Sequence, residues 1–112
     1  MIKDLKNTEY EQNPGVLTGI SIIDFYRTDC GPCSAVAPEL EKVAKIRTDI
    51  NIFKVNVDEE PDLASRFRVM ATPTILFYDG ESLKKKIIGF KSAEGILTIV
   101  ETIEGDKENK DA

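Results

Sequence analysis

Apolar positions along the chain follow two spacings that together predict nine secondary-structure elements. Apolar runs of strand length occur at residues 2–5, 20–26, 50–57, 74–78 and 83–89. Helical signals lie between them: a capping box at Thr8, an apolar stripe at 32–47, a short stripe after Asp58, and a last one from Ser92 to about Gly105. The predicted order is therefore β-α-β-α-β-α-β-β-α. Strands separated by helices favour parallel pairing and the Asp79-Gly80 hairpin adds an antiparallel edge, so we predict an α/β fold with a central mixed sheet flanked by helices.

The segment Ile20–Tyr26 and the helix after it are the strongest part of this pattern. The strand is apolar on both faces except at Ser21 and Asp24, which is typical of a central strand covered on both sides. Pro38 lies inside the helix and removes one hydrogen bond, so we expect a kink there. The apolar side chains of the helix recur at i, i+4, i+7 and i+8, at Val36, Leu40, Val43 and Ala44.

Length, composition and charge limit what such a domain binds. The 112 residues, 41% of them hydrophobic, suffice for one core, and we divide the chain into a domain at 1–104 and a flexible charged tail at 105–112. The net charge of −5 disfavours binding to nucleic-acid phosphates. No apolar run is long enough to span a membrane, and the first eight residues lack the apolar segment of a secretory signal. We therefore expect a cytoplasmic monomer that binds neither nucleic acid nor membrane.

The chain has two cysteines, in Cys30-Gly31-Pro32-Cys33, and no histidine. Cys30 falls where the predicted strand meets the helix, and free N–H groups and the helix dipole stabilise a thiolate at such a point. Cys33 lies one turn further on, within reach of a disulfide, while Gly31 permits a tight turn and Pro32 stiffens it. The alternative is half of a zinc site, yet structural zinc usually takes four thiolate or imidazole ligands. The strand–motif–helix context favours thiol–disulfide exchange with no metal and no cofactor beyond the cysteine pair.

Three further residues are candidates for the same chemistry. Asp24 is either a buried carboxylate with a raised pKa, able to accept the proton of Cys33, or a polar residue that faces water or caps a turn. Lys54, on the neighbouring predicted strand, is either the charge partner of Asp24 or an exposed lysine. Pro73 either begins a strand as an ordinary proline or follows a cis peptide bond that places exposed backbone next to the cysteines.

Two segments resemble those of the thioredoxin family: Phe25-Tyr26-Arg27-Thr28-Asp29-Cys30-Gly31-Pro32-Cys33 resembles its active-site segment, and Ala71-Thr72-Pro73-Thr74 its cis-proline loop. The resemblance extends over about residues 20–103, with Asp24, Pro38, Lys54, Asp79-Gly80 and Gly89 in the expected order. It implies the thioredoxin fold, with Cys30 as attacking nucleophile, Cys33 as resolving thiol and Asp24 as buried proton acceptor. It also implies that protein disulfides dock on Thr72-Pro73 and that a thioredoxin reductase is the usual electron donor. We expect Asp29, Gly31 and Pro32 to contact the substrate and Lys54 to support proton transfer.

The departures from the family pattern lie around the cysteines. Asp29 stands where members usually carry Trp, Tyr26 replaces another usual Trp, and Ser34 replaces a frequent basic residue. A negative charge beside Cys30 disfavours the thiolate and removes an apolar contact surface for partners. Three functions compete: a general disulfide reductase, an oxidoreductase with a narrow partner set selected partly by Asp29, and a partner-specific binding or redox-sensing module with weak reductase activity.

Overall fold

The computed structural model describes residues 2–109, with side chains as far as Asp106, and its elements follow the predicted order. The strands are β1 (Ile2–Asp4), β2 (Ile20–Tyr26), β3 (Asn51–Asn56), β4 (Thr74–Asp79) and β5 (Ser82–Ile88). The helices are α1 (Asn7–Gln12), α2 (Gly31–Ile46), α3 (Pro61–Arg66) and α4 (Ala93–Asn109), and a 3-10 turn at Pro14–Val16 precedes β2.

The five strands form one mixed sheet in the order β1-β3-β2-β4-β5. β1 and β2 run parallel to β3, whereas β4 runs antiparallel to β2 and β5 antiparallel to β4. The predicted mixed sheet with flanking helices is confirmed. The expectation that helix-separated strands pair in parallel is wrong for β4.

α3 is shorter than the strands that it connects, in keeping with the reversed direction of β4. A six-residue helix is about 9 Å long, whereas a six-residue strand spans about 20 Å. The connection through α3 does not carry the chain back along the strands. β4 therefore begins at the end of the sheet where β3 finishes. At that edge Tyr26 of β2 pairs with Asn56, and Phe25 pairs with Thr74, the first residue of β4. The start of β4 thus lies beside the end of β2, where α2 begins.

Both faces of the sheet are covered, as the apolar pattern of β2 predicts. Ile22 lies in a buried cluster with Val36 and Leu40 of α2 and with Ile96 of α4. On the opposite face, Ile23, Phe25 and Leu76 form a second cluster with Leu63 and Ala64 of α3. Because side chains alternate along a strand, Asp24 lies on the same face as Ile22, beneath α2.

Helix ends differ from the sequence expectation in two places. α1 begins at Asn7 and its N-cap is Lys6, so no capping box forms at Thr8; the N–H of Asn7 donates instead to Oε1 of Glu60, 2.6 Å away. In contrast, Ser92 caps α4 as predicted, accepting from the N–H of Gly95 at 3.1 Å.

The predicted end of the last helix near Gly105 is wrong, because α4 continues to Asn109. Arg47 donates to both carboxylate oxygens of Glu104, at 3.0 and 2.6 Å, and this ion pair fastens the turn that precedes Gly105 to the end of α2. The helix therefore passes through the first part of the predicted tail. Residues 110–112 of that tail lie outside the described residues, and the division at 104 stays a prediction.

Candidate functional site

Cys30 occupies the N-cap of α2, at the end of the loop that follows β2. Its backbone is extended, with φ −117° and ψ 108°, and its sulfur accepts a hydrogen bond from the N–H of Cys33 at 3.3 Å. Gly31 and Pro32 form the first turn, where the missing N–H of proline leaves no helical bond unmade. A negative charge on this sulfur would face the free N–H groups and the positive end of the α2 dipole.

The two cysteines are bonded to each other in this structure. Their Cα atoms are 5.2 Å apart, and the two residues are 8% and 5% exposed. Cys30 is the partner nearer to solvent. The pair is therefore placed to exchange a disulfide with a molecule that approaches from the Cys30 side.

Ser34 contributes to this turn in a way that sequence reasoning missed. Its N–H and its Oγ both donate to the carbonyl oxygen of Cys30, at 3.1 and 3.2 Å. The sequence shows Ser34 only as a departure from the family pattern. A hydroxyl in the first turn of a helix that starts at a cysteine is the signal that could have identified this contact.

The loop before β4 completes the site. The Thr72–Pro73 peptide bond is cis, the second of the two alternatives left open by the sequence. Oγ1 of Thr72 lies 3.8 Å from the sulfur of Cys30 and can donate to it. The carbonyl oxygen of Pro73 accepts from the N–H of Gly89, at 2.9 Å, which ties the loop to the end of β5. Residues 42 positions apart are thus brought together by the antiparallel entry of β4.

Asp24 is a buried carboxylate and lacks one hydrogen bond. It is 5% exposed, and its Oδ1 has no hydrogen-bond partner within the described part of the chain. The other two buried polar side chains among these residues are satisfied: Ser21 donates to the carbonyl of Thr18 and Thr74 to that of Ala71. Burial raises the pKa of Asp24 from 3.8 to about 7, and the positive charge of Lys54 opposes that rise.

Lys54 lies directly beside Asp24 and is also accessible to solvent. The two residues are paired in register across β2 and β3. The side chain of Lys54 is 45% exposed, and its Nζ lies 3.9 Å from Oδ1 of Asp4 on β1. The structure therefore combines the two alternatives for this residue: an exposed lysine that still acts on the buried acid.

A groove beside the cis-proline loop was not identified from the sequence. It has a volume of about 360 Å³, and the side chain of Met70 at its rim is almost fully exposed, at 96%. The sequence signal is Val69-Met70, two apolar residues that precede the loop and belong to no helical stripe. The groove is lined by Arg27, Val57, Val69, Met70, Ala71 and Thr72.

The loop between β2 and α2 presents polar side chains around the cysteines. Arg27, Thr28 and Asp29 are exposed, and Asp29 adopts a left-handed backbone conformation with φ 58°. Among the side chains described, those of residues 2–106, no group of three or more potential metal ligands comes together. In the same part of the chain no helix is long and apolar enough to cross a membrane.

A cysteine pair at a helix N-terminus and next to a cis-proline loop, preceded by a strand that buries a carboxyl group, defines a thiol–disulfide oxidoreductase. The comparisons with known proteins agree, because the family model for thioredoxin matches residues 2–102. The chain belongs to the thioredoxin family, and it is a protein-disulfide oxidoreductase with Cys30 and Cys33 as its redox pair.

Relatives and a solved structure support this assignment. The chain is 38% identical to thioredoxin of Staphylococcus saprophyticus over 99 residues, covering 87% of this chain and 94% of the relative. The thioredoxins of Staphylococcus haemolyticus and Staphylococcus aureus are 36% and 35% identical over the same shares. Among solved structures, that of chloroplastic thioredoxin z superposes with a TM-score of 0.82 at 31% identity, covering 93% of this chain and 95% of its own.

Proposed function

We propose that the protein reduces disulfides in other proteins through a mixed-disulfide intermediate, with Cys30 as nucleophile and Cys33 as resolving thiol. The observation that carries this proposal is the placement of the Cys30 sulfur, at the N-terminus of α2 and within 3.8 Å of Thr72. In the reduced protein the Cys30 thiolate attacks one sulfur of the substrate disulfide. A bond forms between Cys30 and that sulfur, and the other substrate sulfur leaves as a thiolate.

The second step releases the substrate. Cys33 transfers its proton to the carboxylate of Asp24, and the resulting thiolate attacks the Cys30 sulfur. The remaining substrate sulfur leaves as a thiolate, and the Cys30–Cys33 disulfide is formed. The substrate thereby gains two electrons, and its thiolates take up protons from solvent. A carboxyl group with a pKa of about 7 suits this role, since it changes charge close to neutral pH.

Substrate binding in this proposal uses the backbone and side chains around the cysteines. The loop at Thr72-Pro73 offers backbone groups to which an extended substrate segment can bind. Gly31 has no side chain and Pro32 has only a compact ring, so neither obstructs the approach of the substrate. At Gly31 no atom lies within 4 Å of the position that a Cβ would take. Asp29 adds a negative charge at the entrance, and Lys54 supports the proton transfer by stabilising the charged form of Asp24.

The reaction requires an electron donor and a reducing compartment. A dithiol that acts as a reductant must be regenerated, so we assign a thioredoxin reductase or an equivalent donor as second partner, and the cytoplasm, where thiols are kept reduced, as location. The chain would act as a monomer, with the cysteine pair as its own redox centre and neither nucleic acid nor membrane as a partner.

Insulin reduction tests the activity. In dithiothreitol the protein should accelerate precipitation of the insulin B chain, and Cys30→Ser should abolish the acceleration, since the thiol that attacks the substrate is lost. In a separate incubation without dithiothreitol, reduced Cys33→Ser should trap a mixed disulfide with the substrate, visible as an adduct that dithiothreitol then removes. A rate equal to that of dithiothreitol alone would instead favour the binding or redox-sensing alternative.

Asp24→Asn tests the proton acceptor. We expect release of the substrate from the mixed disulfide to slow by about 100-fold at pH 7, the lower end of what a positioned general base contributes. The wild-type release rate should rise with pH and level off above about pH 7, where Asp24 is charged. Ser21→Ala, on the same strand, is the matched control and should keep the wild-type profile. Equal rates for the Asp24 variant and the wild type would remove Asp24 from the mechanism.

A further inference from the structure

We propose that Asp4 is a positioning residue: by holding the ammonium group of Lys54, it sets how strongly that group stabilises the charged form of Asp24. This inference rests on the proposed role of Asp24 as proton acceptor, and it adds a residue on β1 that touches neither the cysteines nor the substrate. The geometry is a row of three charged side chains across three neighbouring strands.

The register of the sheet builds this row. Lys54 pairs with Asp24 on one side and with Asp4 on the other. Because directly paired residues point to the same face, Lys54 lies in one row with the two aspartates, with one of them on each neighbouring strand. Nζ of Lys54 lies 3.9 Å from Oδ1 of Asp4, while Oδ1 of Asp24 has no hydrogen-bond partner in the described residues.

The two carboxylates differ in what they gain from Lys54. The side chain of Asp4 is 65% exposed and water solvates it well, whereas Asp24 is 5% exposed and depends on nearby charge. Lysine carries its charge on a flexible stem, so the position of Nζ follows its strongest neighbour. Asp4 therefore draws Nζ outwards and leaves Asp24 less stabilised as an anion than Lys54 alone would make it.

Among the described residues, Lys54 is the group whose charge acts on the pKa of Asp24. Ile75, the neighbour of Asp24 on β4, is apolar, and Tyr26 follows two positions later on β2. Cys33 on α2, the proton donor of the proposed mechanism, carries no proton in the disulfide form. A cleft of about 140 Å³ next to Lys54 contains the remaining charges; the charged residues of its lining are Asp4, Lys6, Lys54, Glu59 and Glu60.

The titration of Asp24 in the oxidised protein tests this inference without any turnover. With Cys33 in the disulfide, the side-chain carboxyl carbon of Asp24 reports its own protonation by NMR. We expect Asp4→Asn to lower the pKa of Asp24 by roughly 0.2 to 0.7 unit, the shift that corresponds to an exposed ion pair. Asp4→Glu should restore the wild-type value. Glu81→Gln, which removes the same charge at the far hairpin, should leave it unchanged.

A second background separates an action through Lys54 from direct repulsion between the carboxylates. In Lys54→Met the pKa of Asp24 should rise, and adding Asp4→Asn should then shift it by less than half as much as in the wild type. An unchanged or raised pKa in Asp4→Asn would overturn the inference, as would an equal shift in both backgrounds. The proposed function fails separately, if Asp24→Asn releases substrate as fast as the wild type.

Discussion

Asp29 brings a carboxylate next to the nucleophilic sulfur in a backbone conformation that few residues adopt. Its φ of 58° lies in the left-handed region, where Asp and Asn are tolerated and bulky side chains are strained. The family's usual Trp is therefore a poor test substitution here, since it would change conformation and charge together. Asn keeps the shape and removes the charge.

We expect Asp29→Asn to make Cys30 ionise more readily, because a neighbouring negative charge disfavours a thiolate. In the reduced protein the pH midpoint of Cys30 alkylation by iodoacetamide should fall by about 0.5 unit, in keeping with the energy of an exposed charge pair. Asp62→Asn on α3 is the control and should not move the midpoint. A midpoint that stays or rises would show that Asp29 does not act through its charge.

At the scale of single residues, most residues of the candidate site could be predicted from the sequence. Asp24 could be predicted to be buried because Ile22, Ile23 and Phe25 surround it on one short strand. Asp4 could not, because its contact with Lys54 depends on the pairing of β1 with β3, which no local pattern specifies. Thr72 was assigned through the family resemblance, and its approach to Cys30 follows from the path of the chain.

At the scale of elements, periodicity and capping signals predicted the order of the α-helices and strands but not the direction of every strand. The apolar stripe of α3 shows that a helix exists, whereas the direction of β4 depends on how far that helix carries the chain. The same distinction applies to α4, whose end was misplaced. Its extension past Gly105 is supported by Arg47 at the end of α2, a residue 57 positions before Glu104. A contact between residues so far apart along the chain cannot be predicted from the local sequence pattern.

The contacts between α2 and α4 also hold the site's scaffold. The N–H of Ala93, at the start of α4, donates to Oε1 of Glu39 on α2 at 3.0 Å. This hydrogen bond lowers the pKa of Glu39, and the contact with Lys42 lowers it further. The middle of α2 thus carries an acceptor for α4, and its C-terminal end carries a donor. The first turn of the same helix positions the cysteines. The helix that positions the redox pair is therefore hydrogen-bonded to a helix that contributes no catalytic group.

At the scale of the whole molecule, the buried charge of Asp24 lowers the free energy of unfolding, although the proposed mechanism needs that charge. An acid whose pKa is raised on folding binds its proton more tightly in the folded state than in the unfolded one. Its stabilising contribution is complete below the unfolded pKa, near 3.8, and is lost as the pH rises through the folded value of about 7. The predicted loss is at most about 4 kcal/mol, since one pKa unit corresponds to about 1.4 kcal/mol.

The comparison of wild type with Asp24→Asn isolates this effect. Glu39, Asp49 and Glu104 have lowered pKa values because of their hydrogen bonds to Ala93 and Arg47, and they stabilise the fold as the pH rises. These groups are common to both proteins, so their contribution cancels in the difference. The free energy of unfolding of the oxidised proteins, measured with guanidinium, should differ between Asp24→Asn and wild type. We expect this difference to change in favour of the variant by about 2 to 4 kcal/mol as the pH rises from 4.5 to 8. A difference that stays constant across that range would mean that the carboxyl group does not titrate inside the fold, and the proton acceptor would have to be sought elsewhere.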